Sequence, residues 1–209
     1  MNKLPAIACA VFILSACERQ DTTPPVIIQN HDPYGIHERG AVYQDPGAAA
    51  MDNYTCDLTD QITVTNDVDI YHYGSYTINY TVSDAAGNTT ESIRPVDIVL
   101  PLTDYYSENY QAYDTCTSGN YQYTGLIEDC NCSGMQVIVG NISNFGLGAL
   151  FPLPISGQYN QVIELDTAKA DLQFSGTGVM SPGADTIRWN YSIADTVSTD
   201  VCRSVWVKH

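Results

Sequence analysis

Hydrophobic and polar residues alternate with a period of two over most of the chain, in short runs bounded by Gly, Asn, Asp and Pro. That period places successive side chains on opposite faces of an extended backbone and predicts short strands with one face buried. No sustained 3.6-residue period is present, so extended helices are not expected. Val26-Ile27-Ile28 and Ile62-Thr63-Val64 read as strands. In the run from Tyr76 to Val82, residues Tyr76, Ile78, Tyr80 and Val82 share a face. Asp84-Ala85-Ala86-Gly87-Asn88 then supplies hairpin residues, and a return strand starts at Thr89 and closes with Arg94 to Leu100. Further on, Tyr121, Tyr123, Gly125 and Ile127 share a face, and strands follow over Met135–Ile142, Leu150–Ile155, Val162–Leu165, Leu172–Gly178, Thr186–Ile193 and Val201–Val207.

The first residues break this pattern. Lys3 is followed by an apolar stretch from Leu4 to Leu14, too short for a bilayer span and suited to the core of a signal peptide. The tetrad Leu14-Ser15-Ala16-Cys17 resembles a bacterial lipobox. That resemblance implies a signal peptide over residues 1–16, cleavage before Cys17, and acylation of Cys17 with palmitate-type chains. Several chains on one residue anchor stably where one would not. The expected location is therefore the bacterial cell envelope, lipid-anchored at the outer membrane or cell surface. Residues 17–23 form a polar tether.

The strand pattern divides near residue 101 into an N-terminal domain at 24–100 and a C-terminal β domain at 119–209, with the polar, Tyr-rich stretch 101–118 as connector. PPVIIQN, YQDPGAAAMDN, DLTDQITV and GSYTINYTVSDAAGNTT occur in that order in the first segment. In motif and spacing it resembles the bacterial immunoglobulin-like domains of the pesticidal-crystal-protein type. The resemblance implies a structural or adhesive β-sandwich with no catalytic residues of its own. Cys56 stands where that family carries a polar residue. Asn144-Phe145 and the Phe-Ser-Gly-Thr-Gly run at 174–178 are similar to lipocalin-like or sandwich modules of bacterial surface lipoproteins. The fold class expected is all-β, an immunoglobulin-like sandwich followed by an antiparallel barrel or sandwich.

Charge narrows the partners. The chain carries 24 acidic and 8 basic residues, a formal charge of −16. Phosphate neutralisation needs clustered Lys and Arg, so no nucleic-acid partner is expected. Signal cleavage would remove Lys3 and no acid, and so acidic a surface is repelled by anionic headgroups. Membrane attachment then rests on the lipid of Cys17.

Five cysteines follow Cys17. In an oxidising compartment Cys116, Cys130, Cys132 and Cys202 are disulfide candidates with three connectivities. Cys130 and Cys132, two apart, are poorly placed to bridge each other, so each is expected to pair with Cys116 or Cys202. Cys56 is left over. Cys-x-Cys without a nearby His is poor zinc spacing, and Asp52, Asn53, Asp57, Asp60, Asp84 and Asn88 are better explained by turn chemistry than by calcium. No cofactor or metal is therefore expected. No Gly-x-Ser-x-Gly or His-Glu-x-x-His motif occurs, and no catalytic activity is expected.

The chain has 15 tyrosines. Tyr105, Tyr106, Tyr110, Tyr113, Tyr121 and Tyr123 crowd beside the domain boundary, where flat rings next to Asp and Asn suit stacking on sugar CH faces. They are the candidate ligand-binding residues. The function expected is a non-catalytic envelope lipoprotein whose immunoglobulin-like module presents a β domain to a glycan or protein partner. A purely structural envelope protein and a hydrolase are the alternatives.

Overall fold

The computed structural model of the protein describes residues 21–209 apart from 33, 34, 55 and 147–149. The lipobox and Cys17 lie outside the described residues. The N-terminal segment contains β1 (Val26–Gln29), β2 (Ile36–Glu38), β3 (Ala48–Asp52), β4 (Cys56–Asp57), β5 (Thr63–Asn66), β6 (Gly74–Ser83) and β7 (Thr89–Val99). They form a three-stranded sheet β1-β3-β4 and a four-stranded sheet β2-β7-β6-β5, in which β2 runs parallel to β7. The period-two reading of β6 holds, since Ile78, Tyr80 and Val82 are all buried. Ile78 and Tyr80 pack with Val96 and Ile98 of β7, while Val82 meets Ala50 of β3 and Leu58.

A buried polar contact locks the two sheets. Arg94, only 5% exposed, donates from Nε to the Tyr80 hydroxyl at 2.9 Å and from Nη2 to the carbonyls of Asn30 and Gly47. Its ion pair with Asp45 spans 3.3 Å, and the Tyr80 hydroxyl donates to the same carboxylate at 2.6 Å. The guanidinium is thus paired and hydrogen-bonded, the condition under which a buried charge is tolerated.

The C-terminal segment is one closed barrel of β8 (Ser107–Cys116), β9 (Gly119–Asp129), β10 (Gln136–Gly140), β11 (Leu150–Ser156), β12 (Val162–Lys169), β13 (Leu172–Met180), β14 (Thr186–Ala194) and β15 (Thr199–Lys208). Each strand pairs antiparallel with the next, and β15 pairs with β8 to close the ring. This corrects the expected domain division. Residues 107–116 are the first barrel strand rather than connector, and only 101–106 join the domains. The Tyr-rich stretch looked like a loop because its inward residues Tyr110, Ala112 and Asp114 are not a conspicuous apolar run.

Side chains fill the barrel. Trp189, Trp206, Tyr110, Phe174 and Ile127 are among the most deeply buried. Two glycines make room for the indoles. A Cβ at Gly125 would come within 2.5 Å of the Trp206 ring, and one at Gly178 within 2.6 Å of Trp189. Alternating small and large residues across adjacent strands is how a narrow barrel packs its interior. Gly178→Ala is therefore expected to destabilise by about 1–3 kcal/mol through overpacking. The check is the urea midpoint, with Trp189→Leu in the same chain recovering part of the loss.

Both expectations about cysteine pairing need correction. The structure joins Cys116 to Cys202 and pairs Cys130 with Cys132 in the loop after β9. Cys116 and Cys202 are direct partners in the β8–β15 register, a proximity that exists only because the barrel closes. Asn131 at φ 50° turns the backbone so that its two neighbours can meet. Cys56 is a free, exposed thiol.

Polar and aromatic contacts hold the domains together. Tyr73 stacks on Tyr159 at 5.5 Å between ring centroids and donates its hydroxyl to the Met180 carbonyl at 2.8 Å. Arg39 pairs with Asp104 at 3.1 Å and donates to the Gly183 carbonyl at 2.7 Å. Leu100, at the end of β7, is buried in the barrel cluster.

Candidate functional site

Two ends of the molecule can be told apart from these contacts. The chain enters beside the β6–β7 hairpin, where Asn88 Nδ2 donates to the Asp21 carbonyl at 3.3 Å. From that hairpin β7 runs 11 residues to the barrel, roughly 36 Å of extended chain. Barrel strands alternate in direction. The loops at 157–161 and 181–185 therefore face the N-terminal domain, while the described loop residues at 117–118, 141–146, 170–171 and 195–198 lie at the distal end. Asp21, where the described part of the tether begins, and the distal barrel mouth occupy opposite poles.

At the tether pole, carboxylate oxygens of Asp21, Asp52 and Asp84 lie within 4.8 Å of one another. The acids weighed for calcium in the sequence act mainly as turn formers. Asp84 Oδ1 accepts from the amides of Ala86 and Asn88, and Asp57 Oδ1 from that of Thr59. Hydrogen bonds from the Asn88 side chain to Asp84 and from the Thr59 side chain to Asp57, aided by these amides, hold both carboxyls below the usual carboxylate range.

The six candidate tyrosines do not form one surface. Tyr105 and Tyr110 are 0% exposed and Tyr123 is 6% exposed, all three in the barrel core. The Tyr105 hydroxyl donates to the Asn160 carbonyl and that of Tyr110 to the Tyr105 carbonyl. Tyr106 is half-buried against the same core. Only Tyr113 and Tyr121 are exposed, at 44% and 40%. The physical reason is the strand. β8 and β9 turn alternate residues inward, and tyrosine serves as a filler whose hydroxyl finds a carbonyl.

The outer face of β8 and β9 is concave. A groove of about 630 Å³ is lined by Glu108, Asn109, Gln122, Thr124, Glu128 and their neighbours. A smaller hollow shares Asn109 and Thr124 and adds Gln111 and His209. A third shares Gln122 and brings in Tyr113, Asn120 and Tyr121. Cross-strand register explains the row, since Gln111 faces Thr124, Tyr113 faces Gln122 and Thr115 faces Asn120. The surface is thus amides, hydroxyls and two acids flanking exposed rings. Sequence reasoning missed the amides, because it read the tyrosines and left the intervening outward positions aside.

The distal mouth is a second concavity of about 300 Å³. Tyr121, Phe145, Leu172 and Ile193 supply apolar walls, and Asp195 and Asp200 stand at the rim. Phe145 lies edge-on to Phe174 at 5.3 Å, across the top of the barrel. Amides of Ser198 and Val197 hold the Asp195 carboxyl below its ordinary range, and hydroxyls of Ser118 and Thr117 do the same for Asp200. One layer deeper, Asp114 Oδ2 accepts from the hydroxyls of Tyr123 at 2.9 Å and Tyr191 at 2.6 Å. Asp114 Oδ1, Ser204 Oγ and Trp189 Nε1 are buried without a hydrogen-bond partner. These residues sit side by side, Trp189 facing Ser204 and Ser204 facing Asp114 across adjacent strands.

With the sandwich and barrel in view, comparison with known proteins places the first of them. Residues 30–98 match the family of bacterial surface protein, Ig-like domains. The N-terminal region is therefore Ig-like, and the chain as a whole is all-β. A crystal structure of a lipoprotein from Bacteroides thetaiotaomicron is 16% identical, with 87% of this chain and 98% of that one covered and a TM-score of 0.34. Two structures of Clostridium perfringens ZmpB are each 14% identical. One, CBM51-2 in complex with GlcNAc and INT domains, has a TM-score of 0.30, with 87% of this chain and 43% of that chain covered. The other, the M60 catalytic domain with CBM51-1 and CBM51-2, has a TM-score of 0.31, with 88% and 21% covered. No curated protein matches the chain.

Proposed function

We propose that this chain is a lipid-anchored bacterial surface protein that binds a neutral glycan on the outer face of β8 and β9 and carries out no chemistry on it. The concave row from Glu108 to Tyr121 carries this reading. Amide and carboxyl side chains there can pair with vicinal hydroxyls in both donor and acceptor directions, while Tyr113 offers a face for sugar CH groups. No Lys or Arg lines the row, which disfavours acidic sugars. The Ig-like domain acts as a spacer. With Cys17 acylated, the membrane lies at the tether pole and the barrel stands off by the length of the sandwich. The match of residues 30–98 to a surface-protein domain supports that placement.

A glycan array probed with the full chain tests the reading. Binding to at least one neutral glycan is expected, weakened by about 1–3 kcal/mol in Tyr113→Ala, the order for truncating an aromatic anchor. Tyr113 points outward, so its removal should change the unfolding free energy, read from urea titration, by no more than about 0.5 kcal/mol. Absence of neutral-glycan binding, or binding indifferent to Tyr113, would leave a structural spacer as the better description. Membrane anchoring is tested separately by Cys17→Ala, which should release the protein from the membrane fraction.

A further inference from the structure

The two disulfides of the barrel differ in how the chain holds them. Cys116 and Cys202 are direct partners in paired strands, and Cys202 is 1% exposed. If that bond opens, the β8–β15 register keeps the two sulfurs opposite each other, ready to close again. Cys130 and Cys132 instead sit in the loop between β9 and β10, outside any strand. Cys132 is exposed, as are Asn131, Ser133, Gly134 and Met135 around it, while Cys130 is half-buried.

Closing the second pair demands a particular backbone. Asn131, the one residue between the two cysteines, is held at φ 50°. That left-handed region costs an L-residue conformational energy, least for Asn and most for a β-branched residue. Asp129 Oδ1 accepts from the Asn131 amide at 2.9 Å and supports the turn. Reduction frees the loop to leave this conformation, so the oxidised form carries an ordering cost that strand pairing spares Cys116–Cys202. The release stays local. Past the loop, the Met135 carbonyl accepts from the Ile155 amide at 2.8 Å, and β9 stays paired with β10 from Asp129 opposite Val137 onward. An accessible disulfide with such a cost is more oxidising and exchanges faster than a buried structural one.

We propose that Cys130–Cys132 is a thiol–disulfide exchange site that oxidises an external small dithiol, one equivalent per chain, while Cys116–Cys202 stays closed. A thiolate of the dithiol attacks the exposed Sγ of Cys132. The Cys130–Cys132 bond breaks, and its electron pair leaves on Cys130 Sγ, which takes up a proton. The second thiol of the reagent then displaces Cys132 from the mixed disulfide. The dithiol ends as a disulfide, and its two electrons and two protons end on Cys130 and Cys132. The exchange does not depend on glycan binding.

Equilibration of the detergent-solubilised full chain at pH 7 with graded ratios of reduced to oxidised dithiothreitol tests the proposal, with alkylated cysteines mapped by mass spectrometry. Before the reagent is added, Cys56 should alkylate and Cys130 and Cys132 should not. Cys130–Cys132 should then be half-reduced at a ratio about a hundredfold or more below that needed for Cys116–Cys202. At that point the near-ultraviolet circular dichroism of the buried Trp189 and Trp206 should be unchanged. Asn131→Val puts a β-branched residue at the left-handed position and should lower the half-reduction ratio several-fold further. The order of attack is read from single variants. Cys132 in Cys130→Ser should react with 4,4′-dithiodipyridine several-fold faster than Cys130 in Cys132→Ser. Free Cys130 and Cys132 thiols in the untreated chain, half-reduction of both pairs at one ratio, a ratio unmoved in Asn131→Val, or equal reactivity of the single variants would overturn the proposal.

Discussion

Raising the pH from 9 to above 11 is expected to unfold the barrel cooperatively. Tyr105, Tyr110, Tyr123 and Tyr191 are 0–6% exposed, and burial is the main cause pushing each phenol well above its ordinary value. A folded pKa above the unfolded one means the folded state holds its proton more tightly. The associated stability is fully present below the unfolded value of about 10 and is lost as pH rises beyond it. Each such tyrosine removes on the order of 1 kcal/mol by pH 11. Together the four remove several kcal/mol, on the order of the net stability of a typical domain. Tyr43 in the Ig-like domain, pushed up to about 12 chiefly by burial, adds a smaller alkaline sensitivity there. Absorbance at 295 nm should show the buried tyrosines ionising only in step with loss of near-ultraviolet circular dichroism. Gradual ionisation of all tyrosines, with the fold intact at pH 11.5, would contradict the buried hydrogen-bonded arrangement.

Removing the Cys116–Cys202 bridge is expected to have the second large effect. It joins the first and last barrel strands across a separation of 86 residues. On chain-entropy grounds, closing so long a loop restricts the unfolded chain by about 4–5 kcal/mol, with 2–5 kcal/mol typical of measured removals. Cys116→Ala with Cys202→Ala should therefore lower the barrel's urea midpoint strongly. Replacing Cys130 and Cys132 should barely move it, because a separation of two residues constrains the unfolded chain little. The Ig-like domain, whose one cysteine among the described residues is the free Cys56, should be insensitive to reductant. Equal losses from the two barrel pairs would sink this account.

How far the sequence reached depends on the range of the forces involved. Strand alternation is local, so β6, β7, β9 and β11 to β15 were legible, as was the shared face of Tyr121, Tyr123, Gly125 and Ile127, buried at all but Tyr121. The hairpin at Asp84–Asn88 was legible because an Asx side chain caps its own backbone within a few residues. The Ig-like region was legible because its motifs recur in order along one contiguous stretch. The sequence also settled that the chain is all-β and strongly acidic, and it singled out the cysteines that pair in the barrel.

Which cysteine meets which was decided only in three dimensions. Barrel closure puts Cys116 opposite Cys202 although 86 residues separate them. The same closure turned β8 from an apparent connector into a wall, because a strand's partner on the far side of a ring leaves no mark on its own sequence. It also divided the tyrosines. Pleat parity, fixed by the register with β9 and β15, buried Tyr110 and Tyr123 and left Tyr113 outside. The buried row of Asp114, Ser204 and Trp189 is likewise a product of register across three strands. Local alternation could say that these residues face one way. Only the closed sheet could decide that they face each other.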